Sequence, residues 1–558
     1  MKEAGKSEKK QQSANTEHSA EHAIKRMIIL FMIVVIVGVL MISVQAIIKR
    51  RPDSDITESI SNATVNTEND IYADKLTETM FYYPEKLVIG ERLEKAVFTR
   101  DNGTKLSLDE YRGKYVVLMY FASWCNYCCE QFTLIGDPAD IESEYDDEKI
   151  FMVDKLDGEK ETMDSAEKCL KDLNITSQCI YDRNLEVYNS LGIKIIPTTI
   201  IINPEGRVSY CYAGTIALAD QLRSMIDYSR LGAAYATEGF VKNEMLSDRG
   251  GMYTGYEEKS GTATGHDVLS ESQGLLMEYA ALTGDIHLFI RTFDYVKDYM
   301  MKDYPLPIWV TDDEKSITVN ALLDDLRILK ALSTMQNKEG GFSEALESFA
   351  EAISIYGTVN QYPVDFYDFY YKNAADRFTL CYADFAAFEI LSELAPNQEN
   401  LLANVYSIVD GGYIGDSFPL YHNYYDYVNK QYDSGSINMA EGLYALYHLA
   451  EAGMLKDTSL NWLRSKMSGN GIFARYNTDG TVTEGYEYES PSIYALVGLI
   501  ANEIGDKELL TQAIARMEQF RVFDSESPAN GAFGTQGIEN MASYDQCMAL
   551  LLYAKIDE

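Results

Sequence analysis

The apolar positions fall into three regimes along the chain. Met27 to Ile48 is an unbroken run of 22 residues without a charge, in which only Ser43 and Gln45 are clearly polar. At about 1.5 Å per helical residue the run crosses the roughly 30 Å hydrocarbon layer of a bilayer, so a transmembrane helix is predicted over 27–48. Residues 1–26 are polar. Residues 49–85 are rich in Asp, Ser, Asn, Thr and Glu with little to pack, which predicts a flexible linker. From 86 to 231 strand-like and helix-like stretches alternate. Tyr115–Phe121 is a continuous apolar run of strand length, the pattern of a strand covered on both faces of a sheet. After 232 the period changes. Helices are predicted over 268–283, 286–301, 316–335, 342–356, 376–394, 398–409, 436–453, 458–467, 491–503, 506–521 and 540–555, with Gly- and Tyr-rich loops between them and almost no strand pattern. Eleven or twelve helices without a fixed-period motif fit a barrel of six hairpins better than a solenoid. The expected fold class is an α/β domain over 86–231 followed by an all-α (α/α)6 barrel over 232–558, behind the N-terminal helix.

Charge narrows the partners. With 86 Asp and Glu against 48 Lys and Arg the 558-residue chain carries a net charge of −38, which repels nucleic acid and anionic lipid and suits neutral or cationic glycans. Lys2, Lys6, Lys9, Lys10, Lys25 and Arg26 precede the apolar run, and Lys49, Arg50 and Arg51 close it. That balance predicts an N-in, single-pass anchor with a cytoplasmic tail over 1–26 and folded domains outside the cytoplasm. Val44-Gln45-Ala46 has the look of a signal-peptidase site, but the run is longer than an ordinary signal core, which favours an uncleaved anchor. Eight cysteines are too few for a disulfide scaffold in a chain of this length, so their placement carries the information.

The run Tyr115–Phe121 leads into Ser123-Trp124-Cys125-Asn126-Tyr127-Cys128-Cys129. Two cysteines at i and i+3 at a helix start can close one short disulfide, and the first sits where the helix dipole stabilises a thiolate. A zinc half-site would need a second pair at ligand spacing. Cys169 and Cys179 stand ten apart, and no His lies between residues 23 and 265, so no metal is expected. Downstream, Ile196-Pro197-Thr198-Thr199 enters a strand that ends at Asn203-Pro204-Glu205-Gly206. Together with Gly214, these motifs resemble the thioredoxin superfamily, in particular its extracytoplasmic TlpA/ResA branch. The resemblance implies a thioredoxin-like domain with Cys125 as attacking and Cys128 as resolving thiol. It also implies that Pro197 is cis and lies against the disulfide, with Trp124 beside it. It implies thiol–disulfide exchange with a protein partner and no cofactor. Tyr127 stands where many members carry Pro, and Met119 fills the position of their buried acid. Cys129, Cys169, Cys179 and Cys211 are extra thiols, open to burial or to a disulfide or relay role.

In the helical region two acids fall on apolar faces. Glu271 shares a helical row with Val268, Leu275 and Tyr279, and Asp325 falls in the row Leu322, Leu326, Leu329. A carboxylate on such a face is either paired with a neighbouring helix or raised in pKa for work as an acid. Leu269-Ser270-Glu271-Ser272-Gln273-Gly274, then Thr283-Gly284-Asp285, then Trp309 ahead of Asp324-Asp325-Leu326 resemble glycoside hydrolase family 8. That resemblance implies hydrolysis of a β-linked polysaccharide with inversion in an (α/α)6 barrel. It makes Glu271 the proton donor and Asp325 the residue that holds the sugar at the cleavage point. Leu323 replaces the first acid of the family's Asp-x-Asp pair. The base segment is matched loosely by Asp416-Ser417-Phe418-Pro419, without its arginine, so Asp416 is the expected base with Asp426 and Glu489 as rivals. Trp309, Tyr421 and Tyr425 are expected to stack on sugar rings, in a chain with 41 Tyr against 21 Phe. Two other readings stay open. The barrel is a noncatalytic glycan- or protein-binding platform, or it presents thiol clients, with Cys381 and Cys547 as substrates of the CxxC.

Overall fold

The structure is a computed structural model that describes residues 84–557 apart from 94–95, 258–263, 312–316, 396, 525–526 and 535–540. The tail over 1–26, the membrane helix over 27–48 and nearly all of the linker lie outside the described residues. Among the described residues no helix is long and apolar enough to cross a membrane.

The first layer is a seven-stranded sheet in the order β2-β1-β5-β4-β3-β6-β7. Its strands are β1 (Val97–Thr99), β2 (Lys105–Ser107), β3 (Tyr115–Phe121), β4 (Glu148–Asp154), β5 (Cys179–Tyr181), β6 (Thr198–Ile202) and β7 (Val208–Ala213). β3, β4 and β5 run parallel, while β6 and β7 are antiparallel to their neighbours. The apolar run of β3 is explained by its place: six of its seven residues are buried between β4 and β6. Helices α1 (Asn126–Ile135), α2 (Pro138–Glu142), α3 (Met163–Asp172), α4 (Glu186–Ser190) and α5 (Ala219–Leu231) complete this domain.

Twelve helices follow among the described residues: α6 (Ala234–Phe240), α7 (Ser270–Thr283), α8 (Ile286–Tyr295), α9 (Leu322–Lys338), α10 (Ser343–Tyr356), α11 (Phe385–Leu394), α12 (Leu401–Gly411), α13 (Met439–Glu451), α14 (Asp457–Met467), α15 (Pro491–Glu503), α16 (Lys507–Glu518) and α17 (Ser543–Asp557). The odd-numbered members from α7 to α17 form a closed ring in which each packs on the next and α17 returns to α7. The even-numbered helices pack outside it. Ring helices are apolar nearly all round, as in α15, where Pro491 to Ala501 are all buried. Outer helices keep a wet face. The expected helix over 376–394 begins only at Phe385, because Arg377–Thr379 pairs with Tyr424–Asp426 as a strand and Asp384 caps the helix through the Ala387 N–H. Short strands of two or three residues such as this carry no readable period, so they escape a search for alternation.

The two domains share a buried polar junction. Glu518 on α16 accepts from the Tyr210 hydroxyl of β7 at 2.6 Å, from Tyr553 and from Arg521 at 2.6–2.7 Å. The Arg521 guanidinium lies 4.6 Å from the Tyr228 ring of α5 and 4.4 Å from Phe533. A buried ion pair with its remaining donors satisfied in this way ties the edge strand of the sheet to the helical ring.

Candidate active sites

The first site is made by one turn of chain. Cys125 is the N-cap of α1, and its Sγ accepts from the Cys128 N–H at 3.2 Å. Cys125 and Cys128 form a disulfide with a Cα–Cα separation of 5.3 Å. The Ile196–Pro197 peptide is cis, and the Ile196 carbonyl oxygen is 3.7 Å from the Cys125 sulfur. Both cysteines are buried, while Trp124 and Tyr127 beside them are exposed. Met119 is buried in β3, and a different acid stands nearby: Asp154 ends β4, in register with Phe121 of β3. Burial pushes the Asp154 carboxyl up to about 9, and the neighbouring Glu161 adds to the shift. Glu161 in turn accepts from Ser123, two residues before Cys125, at 2.9 Å. Nothing in the spacing of Asp154 or Glu161 marked either one. Cys381 and Cys547 are buried in the helical domain, as their places within apolar stretches suggest, which counts against the open reading that they are substrates of the CxxC.

The second site is a cavity of about 730 Å³ at the mouth of the helical ring. Glu271 lies in the first turn of α7 and reaches into it. The other polar residues of the same motif hold the helix in place. Ser270 donates to Asp324 at 2.5 Å, Ser272 bonds Ser543 of α17 at 2.7 Å, and Gln273 accepts from the Met252 N–H at 2.8 Å. Gly274 allows α7 to lie close on α9, since a Cβ there would sit 3.0 Å from the Arg327 Cβ. That approach brings the fully buried Arg327 guanidinium to 3.6 Å from Glu271 and 2.8 Å from Asp324, over the Tyr444 ring at 4.8 Å. Burial raises the Glu271 carboxyl to about 7; Arg327 opposes the shift, and Asp324 and Glu441 add to it. Glu441, in the first turn of α13, is exposed on the cavity wall, and burial in its cleft raises its pKa as well.

Of the residues expected here, the structure brings Glu271 and Trp309 together in the cavity. It corrects the others. Asp325 is completely buried behind the cavity wall, accepting from the lining residue Asn320 at 2.5 Å, and its neighbour Asp324 lines the cavity instead. The Arg327 partner three residues on was the signal for Asp324, because i and i+3 share a helix face. Asp416 lies in an exposed loop and accepts from Tyr413 at 2.9 Å, outside the cavity. Its rivals are occupied elsewhere: Asp426 caps the turn at Val428 and Asn429, and Glu489 binds Tyr494. Tyr421 is buried against Tyr413. Tyr425 packs on Tyr427 and Tyr432, while Tyr424, one residue earlier on the strand and so on the opposite face, lines the cavity. Tyr382, Tyr444 and Tyr544 are further lining aromatics that sequence reasoning missed.

Asp384, His448 and Glu451 come within 4.8 Å of one another and have the donor types of a metal site. Lys330 already bonds Asp384 at 3.3 Å and Glu451 at 3.0 Å, so an ammonium holds the place of a cation.

With both geometries in view, the comparisons sort the domains. Residues 89–211 match the AhpC/TSA family. The first domain is thioredoxin-like. The chain is 26% identical to the thiol-disulfide oxidoreductase ResA of Bacillus subtilis over 161 residues, 29% of this chain and 84% of that protein. It is 26% identical over 330 residues to YdaJ of the same species, provisionally named a lipoprotein, covering 57% of this chain and 86% of that one. A solved structure described as a novel α-amylase from Clostridium perfringens overlays with a TM-score of 0.54 at 31% identity, spanning 58% of this chain and 97% of that chain. The endoglucanase Cel10 from Klebsiella pneumoniae, described as a family 8 glycosyl hydrolase, overlays with a TM-score of 0.42 at 14% identity, spanning 57% of this chain and 99% of that chain.

Proposed function

We propose that the chain is a membrane-anchored, extracytoplasmic protein with two chemistries: thiol–disulfide exchange at Cys125/Cys128 and polysaccharide hydrolysis in the helical cavity. The first rests on the disulfide at the start of α1 beside cis-Pro197. Cys125, at the helix N-terminus, attacks or is attacked by a partner's sulfur, and Cys128 resolves the mixed disulfide. Exposed Trp124 and Tyr127 offer that partner an apolar landing surface. Equilibration of the chain in dithiol–disulfide mixtures tests the couple; the absence of a reversible two-thiol transition at Cys125 and Cys128 overturns it.

The second rests on Glu271, whose carboxyl is held near neutrality while facing an open cavity. Glu271 protonates the leaving oxygen, and Arg327 with Asp324 keeps it positioned. Glu441, exposed to cavity water, takes the place of Asp416 as the base that activates water, and Trp309 and Tyr424 stack on the sugar. The family 8 resemblance favours a β-linked glycan and inversion. The α-amylase overlay favours an α-linked glucan. Incubation with soluble starch, a β-1,4-glucan and chitosan separates the two, and the anomer first released reports inversion or retention. If none is cleaved, the barrel is a binding platform. The lipoprotein name of YdaJ and the extracytoplasmic branch resembled by the first domain support the location. Protease accessibility of the folded domains in spheroplasts tests it.

A further inference from the structure

We propose that Cys129 and Cys169 form a second dithiol–disulfide couple, separate from Cys125/Cys128 and able to open and close in the folded protein. The two sulfurs lie 3.8 Å apart, with Cys129 in the first turns of α1 and Cys169 near the end of α3. A disulfide needs about 2.05 Å, so closing the pair asks the two sulfurs to approach by a little under about 2 Å. Both residues are half-exposed, whereas Cys211, Cys381 and Cys547 are buried, and burial pushes the Cys179 thiol far up. The pair is therefore both adjacent and reachable by a small disulfide or a partner protein.

The chemistry assigns an order. Burial and the adjacent Cys129 raise the Cys169 thiol to about 12, so Cys169 does not start the exchange. Cys129, half-exposed in the first turns of α1, is therefore the thiol that attacks first. Its thiolate attacks an external disulfide R–S–S–R, forming Cys129–S–S–R and releasing R–S⁻. Cys169 then loses its proton, attacks the Cys129 sulfur and releases the second R–S⁻. One external disulfide is reduced to two thiols, which take up the two protons that the cysteines lose, and one internal disulfide forms. Cys129 also sits 3.9 Å from the Ser123 carbonyl oxygen, and Ser123 binds Glu161. The second couple therefore closes directly behind the segment that carries Cys125, and the domain holds two electron pairs rather than one.

The test uses the full chain in detergent, equilibrated in mixtures of reduced and oxidised dithiothreitol, quenched in acid, alkylated and digested with trypsin without reduction. Cleavage after Lys114, Lys149, Lys168 and Lys171 leaves Cys125, Cys128 and Cys129 in one peptide and Cys169 in another. The expected result is a cross-link between the 115–149 and 169–171 peptides that appears and disappears reversibly with the buffer. It persists in a Cys125→Ser/Cys128→Ser variant and vanishes in Cys129→Ser. Full alkylation of Cys129 and Cys169 in a chain whose Cys125–Cys128 disulfide has closed overturns the proposal. So does a cross-link that disappears in the Cys125→Ser/Cys128→Ser variant. The alkylation outcome in the wild type is by itself enough to overturn the proposal, whether or not a variant folds.

Discussion

Each domain holds a carboxyl that resists ionisation, and the two differ in what surrounds them. Asp154 is sealed inside the sheet and pushed up to about 9. Glu271 is raised only to about 7, because Arg327 stands 3.6 Å away and the cavity opens in front of it. The sealed acid faces another carboxyl, Glu161, and no open cavity. The open one has both a counter-charge that keeps it near neutrality and a space of about 730 Å³ in which an acceptor oxygen can sit. The sites differ in origin as well. The thiol site is made by four consecutive residues and one cis-proline, whereas the cavity draws on α7, α9, α13 and α17 together with the Tyr424–Asp426 strand.

The largest expected effect separates the two chemistries. Cys125→Ser abolishes exchange at the Cys125/Cys128 couple, leaves only the Cys129/Cys169 transition, and leaves glycan cleavage unchanged; loss of glycan cleavage in this variant breaks the claim that the sites are independent. Next, Glu271→Gln lowers hydrolysis by about 10²–10⁴-fold while the thermal transition stays in place. A proton donor must be protonated and the Glu441 base ionised, so the wild-type profile has an acid limb from Glu441 and an alkaline limb that falls as the pH rises through about 7, the value to which the Glu271 carboxyl is raised. A pH–rate profile without an alkaline limb near that value removes Glu271 from the role.

A third contrast lies between neighbours. Asp324→Asn frees Arg327 from its 2.8 Å partner and lowers hydrolysis by about 10²-fold through lost positioning of Glu271. Asp325→Asn, at a buried residue that does not line the cavity, moves the melting temperature more than the rate. Equal rate losses in both variants would restore Asp325 to the site. Asp154→Asn sharpens the comparison through stability. The folded protein keeps a proton on Asp154 that the unfolded chain gives up near pH 4, so this acid lowers stability progressively as pH rises from about 4 towards about 9. The variant is therefore more stable than wild type by about 1 kcal/mol or more at pH 7, and the gap closes by pH 4. Denaturant melts at both pH values measure it. The smallest effect is Asp416→Asn, which leaves hydrolysis within about twofold because the residue is an exposed loop acid outside the cavity.

Much of the thiol site was readable in advance because its parts are close in sequence. Trp124, Cys125 and Cys128 fall within one helical turn, and Pro197 announces itself at the entry to an apolar strand. The helix positions were readable for a similar reason, since an apolar stripe is a local signal. Glu271 was found because it breaks such a stripe. Asp325 was preferred to Asp324 by counting helical rows, and the count failed because α9 is buried on nearly every side in its first half. On a ring helix the apolar face no longer marks the inside. A strand of three residues is too short to show its alternation, so nothing in the sequence distinguishes Tyr424 from Tyr425.

Residue order alone determined that a two-cysteine turn precedes a proline-led strand, that helical hairpins follow, and that one acid sits where apolar residues belong. These depend on neighbours within a few positions, and chain geometry fixes their relation. Only the tertiary structure decided that Arg327 pairs with Asp324 beside Glu271, that Glu441 and Tyr424 share their cavity, and that Cys129 meets Cys169 across forty positions. Such contacts arise when separate helices close-pack, and the direction in which each side chain then points is set by its partner helix, not by its own segment of chain.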